Sequence, residues 1–422
     1  EGFLQFTRRA PEKRVAQWQK MGIDPRGIDR EIVEIMHRTH IGVDNDPVNL
    51  ILQGLKASIA DGWGGSMVAT EISDVLFGTP APVRSEANLG VLKEDHVNIV
   101  AHGHEPVLSE MILAAAADPD LVARAEALGA KGINVVGMCC TGNEIIMRHG
   151  IPLAGNFMQQ ELAVITGAVD AMIVDVQCIM PALGDLCECF HTQFISTSYK
   201  AKFPGAVHMQ FNEENALSIA KEIVAKAVDN YNNRVPEKVF IPSEKSECMV
   251  GFSAEAIIKA LGGTLDPLLD AIKSGAINGI AGVVGCNNPK IKHDEGHVQL
   301  VRELIKNDVL VVNTGCNAIA TAKVGLMLPE AADEASDGLK GVCRALGIPP
   351  VLHMGSCVDI SRILVVCAAV ADALGVDISD LPVAGAAPEW MSEKAVSIGA
   401  YVVSSGIFTV LGTVPPVLGS PV

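Results

Sequence analysis

The sequence predicts an α/β protein, with an N-terminal helical segment followed by two Rossmann-like parallel-sheet domains. Residues up to about 95 carry helical periodicity broken by polar loops. From Val97 onward, short apolar runs bounded by glycine alternate with amphipathic stretches, the pattern of buried parallel strands and their crossover helices. After a linker at 233–246, rich in Asn, Pro and charge, the same alternation starts again. The expected units are therefore 1–95, 96–248 and 249–422, in keeping with a chain of 422 residues that exceeds what one core usually supports.

In the first segment, 25–36 reads as a charged amphipathic helix and 47–60 as a second, with Leu50, Leu52, Leu55 and Ile59 on its apolar face. The glycine-rich stretch 61–65 interrupts the pattern, which resumes over 67–76, and 80–93 reads as a linker. Strands are expected at 98–101, 133–136, 171–176 and 194–196, separated by helices at 108–117 with 121–128, and at 143–149 with 159–166. A polar helical stretch at 213–230 closes this unit. In the last unit, strands are expected at 280–284, 309–313, 351–354, 401–404 and 409–411, with an amphipathic helix at 297–306. A further helix starts at Pro388.

A hydrophobic fraction of 49% suffices for large buried sheets, and aromatics at 4% imply packing by Ala, Val, Ile and Leu. The net charge of −17 excludes the basic face that nucleic acid or an anionic membrane would need. No apolar run reaches the 18 or so residues of a membrane span, and the first residues lack the apolar core of a secretory signal, so a cytoplasmic protein is expected. Eleven cysteines in a reducing compartment point to metal or redox chemistry rather than disulfides. No GxGxxG or GxxxxGK[ST] follows a strand, which disfavours nucleotide binding.

The chemistry concentrates where strands end. Six expected strands run into His or Cys: HGHE with His102 and His104, Cys139-Cys140, Cys178, Cys286, Cys316 and Cys357. Parallel strands put their carboxyl ends on one edge, where open α/β folds bind ligands. Imidazole and thiolate suit iron, zinc, copper or nickel, so a metal site shared between the two sheets is expected. Either His of the HGHE loop could equally serve as a structural hydrogen-bonding residue, and of the vicinal cysteines one should be packing, because neighbours on a regular strand point apart. Five thiols and an imidazole exceed the four ligands of a zinc ion, which favours a cluster. Cys187, Cys189, Cys248, Cys343 and Cys367 fall away from this edge and read as structural. Lys394 leads into an apolar segment, where its ammonium could face an anionic intermediate.

On these residues the sequence resembles the catalytic subunit of nickel-dependent anaerobic carbon monoxide dehydrogenase, including the form partnered with acetyl-CoA synthase. The motifs carrying the resemblance are ADGWGGSM (60–67), HGHEPVLSEM (102–111), GMCCTGNE (137–144), DVQC (175–178), GCNNPK (285–290), NTGCNA (313–318), HMGSCVDISR (353–362) and PEWMSEKAVSIGAY (388–401). The resemblance implies a nickel–iron–sulfur cluster held by one His and five Cys. Cys357 would bind nickel, His104 with Cys140 the iron displaced from the cuboid core, and Cys178, Cys286 and Cys316 the remaining irons. Lys394 would hydrogen-bond the carboxylate on nickel, Ile398 would roof the CO pocket, and Asp61 would be an outer carboxylate.

The implied reaction is reversible oxidation of CO with water to CO2, two electrons and two protons. The implied partners are a second copy in a homodimer, a ferredoxin-type electron acceptor and an acetyl-CoA synthase subunit. Additional [4Fe-4S] clusters belong to full-length family members, and no ligands for them occur in this chain, so it reads as a fragment or a natural variant without its own electron wire. Two alternatives are a hybrid-cluster-type hydroxylamine reductase, which shares the strand-end framework but carries an all-iron cluster, and a non-catalytic truncated homologue.

Overall fold

The structure, a computed structural model, describes residues 9–414. They form two compact units, one of Ala81–Gly251 with Gly315–Leu328 and the other of the remaining described chain.

The first unit is built on strands Val83–Ala87 (β1), Val97–His102 (β2), Ile133–Met138 (β3), Leu153–Gly155 (β4), Val169–Val174 (β5), Gln193–Ser196 (β6), Val207–His208 (β7) and Ser246–Val250 (β8). Among the described residues they form one sheet in the order β7-β6-β5-β2-β3-β4-β1-β8. Every pairing is parallel except that of β1 with β8. The central strands β2 and β5 are buried along their whole length, as expected of strands covered on both faces. Each aliphatic side chain so buried contributes about 1.5–3 kcal/mol relative to exposure. One face packs on Val100, Val136, Met172 and Val174, the other on Ile99, Val135, Ile173 and helix Ala216–Asn230.

The second unit carries Gly279–Val283 (β9), Val309–Thr314 (β10), Val351–Gly355 (β11), Val383–Ala387 (β12) and Phe408–Leu411 (β13). This sheet is parallel throughout, in the order β11-β10-β9-β12-β13. Counted from β9, that is the doubly wound order 3-2-1-4-5, whose direction reverses between β9 and β12. Helices of residues 9–80 belong to this unit, with Trp18, Ile59 and Trp63 packed beside Leu364, Ala371 and Tyr401.

Three local expectations are overturned. Residues 401–404 are not a strand but the last turn of helix Glu393–Ser404. The β-branched run there suggested a strand, while the true strand β12, VAGAA, is made mostly of small residues and escaped notice. Residues 61–65 do not interrupt the helices; Asp61–Gly65 is a π-helical turn joining Pro47–Ala60 to Ser66–Phe77. The stretch 80–93 is not all linker, because β1 lies within it and pairs in antiparallel register with β8. β8, SECMV, is the edge strand and β1, VRSEA, lies between it and β4; both are polar and lack the apolar continuity that marks the central ones.

Candidate metal centre

In the five-stranded sheet the crevice outside β9 and β12 is the expected ligand site, and Cys286 lies three residues beyond β9. Gly285 turns the chain there with φ 107°, a conformation that costs glycine little. The thiol of Cys286 is 3.3 Å from Ser392 Oγ, which follows β12. His297 Nε2 donates to the Cys286 carbonyl at 2.8 Å. Burial holds His297 below the usual imidazole range, so it donates as a neutral ring. The fully buried Glu389 accepts from the backbone N–H of Gly296 at 2.9 Å, from that of His297 at 3.3 Å and from Asn287 Nδ2 at 3.2 Å. It sits at the start of helix Glu295–Lys306, where unpaired N–H groups and the dipole favour a carboxylate.

Cys357 follows β11 through another glycine turn, Gly355 at φ 126°. A Cβ on Gly355 would lie 2.3 Å from Asp359 Oδ2. Asp359 needs that approach, for it accepts from the Ser356 N–H at 2.8 Å, from Ser356 Oγ at 3.0 Å and from Arg362 Nε at 3.0 Å. Arg362 in turn forks onto Asp74 at 2.7 and 2.8 Å. A guanidinium shared by two carboxylates therefore fixes the loop that presents the thiol.

Lys394 and Ile398 stand one turn apart on helix Glu393–Ser404, hence on one face. Together with Cys286 and Cys357 they line a cavity of about 60 Å³ whose other walls include Ile360 and Leu364. Four residues singled out from sequence thus share one small, largely apolar space. Asp61 is tied to the same helix: Ser397 Oγ donates to it at 2.8 Å and Ser66 Oγ at 3.0 Å.

At the edge of the eight-stranded sheet, β5, β2 and β3 end level, with His102 opposite both Met138 and Val174. His102 is buried and gives Nε2 to the Cys178 carbonyl at 2.9 Å. His104 instead points Nδ1 at the Val176 carbonyl, 3.0 Å away, and Nε2 at Cys178 Sγ, 3.8 Å away. Because the carbonyl needs the Nδ1 proton, the lone pair is on Nε2, facing the thiol. Asp175 holds this loop, accepting from the N–H of His104 at 2.5 Å and of Glu105 at 3.0 Å. Only a glycine fits beside it, since a Cβ on Gly103 would meet Asp175 Oδ1 at 2.0 Å. Gln177, Cys178 and Cys139 are all left-handed, with φ of 60°, 55° and 55°. The thiol of Cys139 hydrogen-bonds with that of Cys316, and burial first, then this contact, pushes Cys139 well above its ordinary range. Cys140 is buried in the first turn of helix Cys139–His149. The N–H of the next residue, Thr141, donates to the Gly103 carbonyl at 2.8 Å.

A family model described as Prismane/CO dehydrogenase matches residues 1–422. The chain belongs to that family. It is 71% identical to carbon monoxide dehydrogenase 1 of Methanosarcina mazei over 420 residues, which span 100% of this chain and 67% of the relative. Carbon monoxide dehydrogenase 1 of Carboxydothermus hydrogenoformans is 52% identical, over 97% of this chain and 66% of its own length. The chain thus spans about two thirds of the curated relatives it matches. Among solved structures, an as-isolated, nickel-free carbon monoxide dehydrogenase from Thermococcus sp. AM4 superposes with TM-score 0.97 at 62% identity, over 100% of this chain and 67% of that one. An acetyl-CoA synthase/carbon monoxide dehydrogenase with NiZn[Fe4S4] and NiNi[Fe4S4] clusters in its alpha subunits superposes with TM-score 0.94 at 45% identity, over 99% and 64%. The resemblance seen in the motifs and the two-sheet α/β fold are both borne out.

Carbon monoxide dehydrogenases of this family work with a nickel–iron–sulfur cluster, and the donors here fit one. The imidazole lone pair of His104 faces a thiol, and Cys286 and Cys357 share a cavity. Among the described residues no three His, Cys, Asp or Glu side chains close around one point, as a single-ion chelate would require. Of the thiols read as structural, burial pushes Cys187 up to about 11 and Cys248, Cys343 and Cys367 up to about 12, which keeps them protonated, while Cys189 is exposed. Cys367, expected away from the strand ends, lines the same cavity as Cys286 and Cys357. The supporting residues Asp175, Asp359, Glu389 and His297 were missed as functional. Three of them sit inside the quoted motifs, and their signal was an acidic residue within three positions of a thiol, a glycine or a helix start.

Proposed function

We propose that the chain oxidises carbon monoxide with water, reversibly, to carbon dioxide, two electrons and two protons. The observation that carries this reading is the small cavity at the β9/β12 crevice, whose largely aliphatic walls include Ile398 and carry the thiols of Cys286, Cys357 and Cys367 and the amine of Lys394. When bound, the nickel–iron–sulfur cluster supplies metals to hold the carbon and activate water, and it takes up the electrons. Cys357 is the proposed nickel donor, and His104, Cys140, Cys178, Cys286 and Cys316 are the proposed iron donors. The ammonium of Lys394 faces an apolar space, where charge is weakly screened, and stabilises negative charge developing on oxygen as CO becomes CO2. Ile398 narrows that space to the size of a small gas and keeps bulk water out. Asp61, fixed by Ser66 and Ser397, sets the charge on the far side of the same helix turn.

A homodimer in the cytoplasm, a ferredoxin-type acceptor and an acetyl-CoA synthase subunit as a further partner follow from the family. No described helix is long and apolar enough to cross a membrane. Nothing in the comparisons favours a hydroxylamine reductase. The test is to purify the natural protein without oxygen, measure nickel and iron, and follow CO-dependent reduction of a viologen dye. Nickel and iron with dye reduction support the reading; iron without nickel, or full metal with no response to CO, overturns it.

A further inference from the structure

Tyr401 is fully buried, and its hydroxyl has no hydrogen-bond partner among the described residues. A phenol hidden from water without a partner forfeits its solvation, so tyrosines in protein interiors usually find an acceptor. Its ring packs in the core beside Trp18 and Trp63, but its hydroxyl is left over. On helix Glu393–Ser404 the residue stands seven positions after Lys394, hence on the same side of the helix, and next to Val402; Lys394 and Val402 both line the cavity, while Tyr401 itself does not. Its ring lies flat on Gly62, so close that a Cβ there would meet ring carbons at 2.4–2.6 Å. Gly62 belongs to the π-helical turn that starts at Asp61, and Asp61 is bonded to Ser397, one turn before Tyr401. The charges acting on the phenol, after burial itself, are those of Asp61, Cys357 and Lys394. The backbone has thus been cleared to lay this ring against the π-helical turn, within reach of the charges of Asp61, Cys357 and Lys394, where the described residues offer its hydroxyl no acceptor.

We infer that Tyr401 is a further residue of the centre, its hydroxyl donating a hydrogen bond to an anionic atom of the group held at Cys357. That atom is either a cluster sulfide or an oxygen of a small molecule bound beside it. The inference rests on the proposed cluster. Phenylalanine keeps the ring and removes only the donor.

The test compares Tyr401→Phe with the parent protein, metal-free and metal-loaded, by metal content and thermal melting. Nickel and iron that fail to bind the parent would sink the proposed function itself and, with it, this inference. Metal-free, the substitution removes an uncompensated polar group, so the melting temperature should rise. Metal-loaded, it removes a hydrogen bond, so the melting temperature should fall while nickel and iron content stay within twofold of the parent. A fall in the resting loaded protein assigns the acceptor to the cluster; a fall only with bicarbonate present assigns it to a bound oxygen ligand. The loaded variant should also lose at least tenfold in kcat, with KM for CO within twofold. A shift of the same sign in both forms, under all these conditions, overturns the inference and leaves Tyr401 a packing residue.

Discussion

At the edge of the eight-stranded sheet, the donor Cys178 and its neighbours Gln177 and Cys139 sit on left-handed backbone although each carries a side chain. At the edge of the five-stranded sheet, the residues leading into Cys286 and Cys357 are glycines, which take the same region freely. Each left-handed residue with a side chain costs of order 1–3 kcal/mol and persists only where its surroundings over-determine it. Here the surroundings are hydrogen bonds: Asp175 gathers the loop of His104, and the Cys178 carbonyl takes N–H donors from both His102 and Gln160. The five-stranded edge relies on buried carboxylates instead, Glu389 for Cys286 and Asp359 for Cys357, and there the two thiols share a cavity with Lys394 and Ile398. One edge is braced through its backbone, and the other borders a cavity.

The contrast is broken most directly at Cys357. Cys357→Ala should lose nickel and lower CO-dependent dye reduction by more than about a hundredfold, beyond the 10–100-fold typical of residues behind the ligands. A variant with normal nickel by elemental analysis would remove the distinction between the edges.

Next in size is an acid effect. Burial holds His353, on β11, at about 4, below the ordinary imidazole value, so the unfolded chain takes up the proton first. Its stabilisation is complete above pH 6.5 and is lost as pH falls toward 4, by about 3 kcal/mol. Urea titrations of the metal-free protein from pH 7 to 4 should show this limb, flattened in His353→Gln.

A matched pair then sharpens the comparison. Gly103→Ala and Gly355→Ala each drive a Cβ into a buried carboxylate and impose left-handed strain, so each should cost about 2–3 kcal/mol in denaturant. The metal assay separates them, with Gly355→Ala losing nickel and Gly103→Ala losing iron. The smallest effect is a gain: Gln177→Gly relieves a left-handed residue and should stabilise the metal-free protein by about 0.5–1 kcal/mol. A loss of stability in the thermal melt would show that Gln177 is not strained.

Six strands that carry donors were legible because each is a continuous apolar run ending in glycine, histidine or cysteine, and all six occur as parallel strands. The strands that escaped lack that continuity, whether through small residues, as in Val383–Ala387, or through polar residues, as in Val83–Ala87 and Ser246–Val250. At the cavity, Cys286, Cys357 and Lys394 were readable because their residue types are unusual beside apolar runs, whereas Ile398 was reached only through the family resemblance. Tyr401 was not, since a tyrosine within AYVVSSG is indistinguishable in sequence from ordinary packing, and only the approach of Gly62 sets it apart.

The level ending of β5, β2 and β3 sets which lengths of chain this protein can tolerate. Side chains alternate along a strand, so one residue added inside β2 would turn its imidazole-bearing end through half a revolution and empty that place at the edge. One residue added to the connections at the opposite, amino-terminal ends would leave the phase of every strand untouched. Length variation should therefore accumulate on one rim of the molecule and be almost absent from the other.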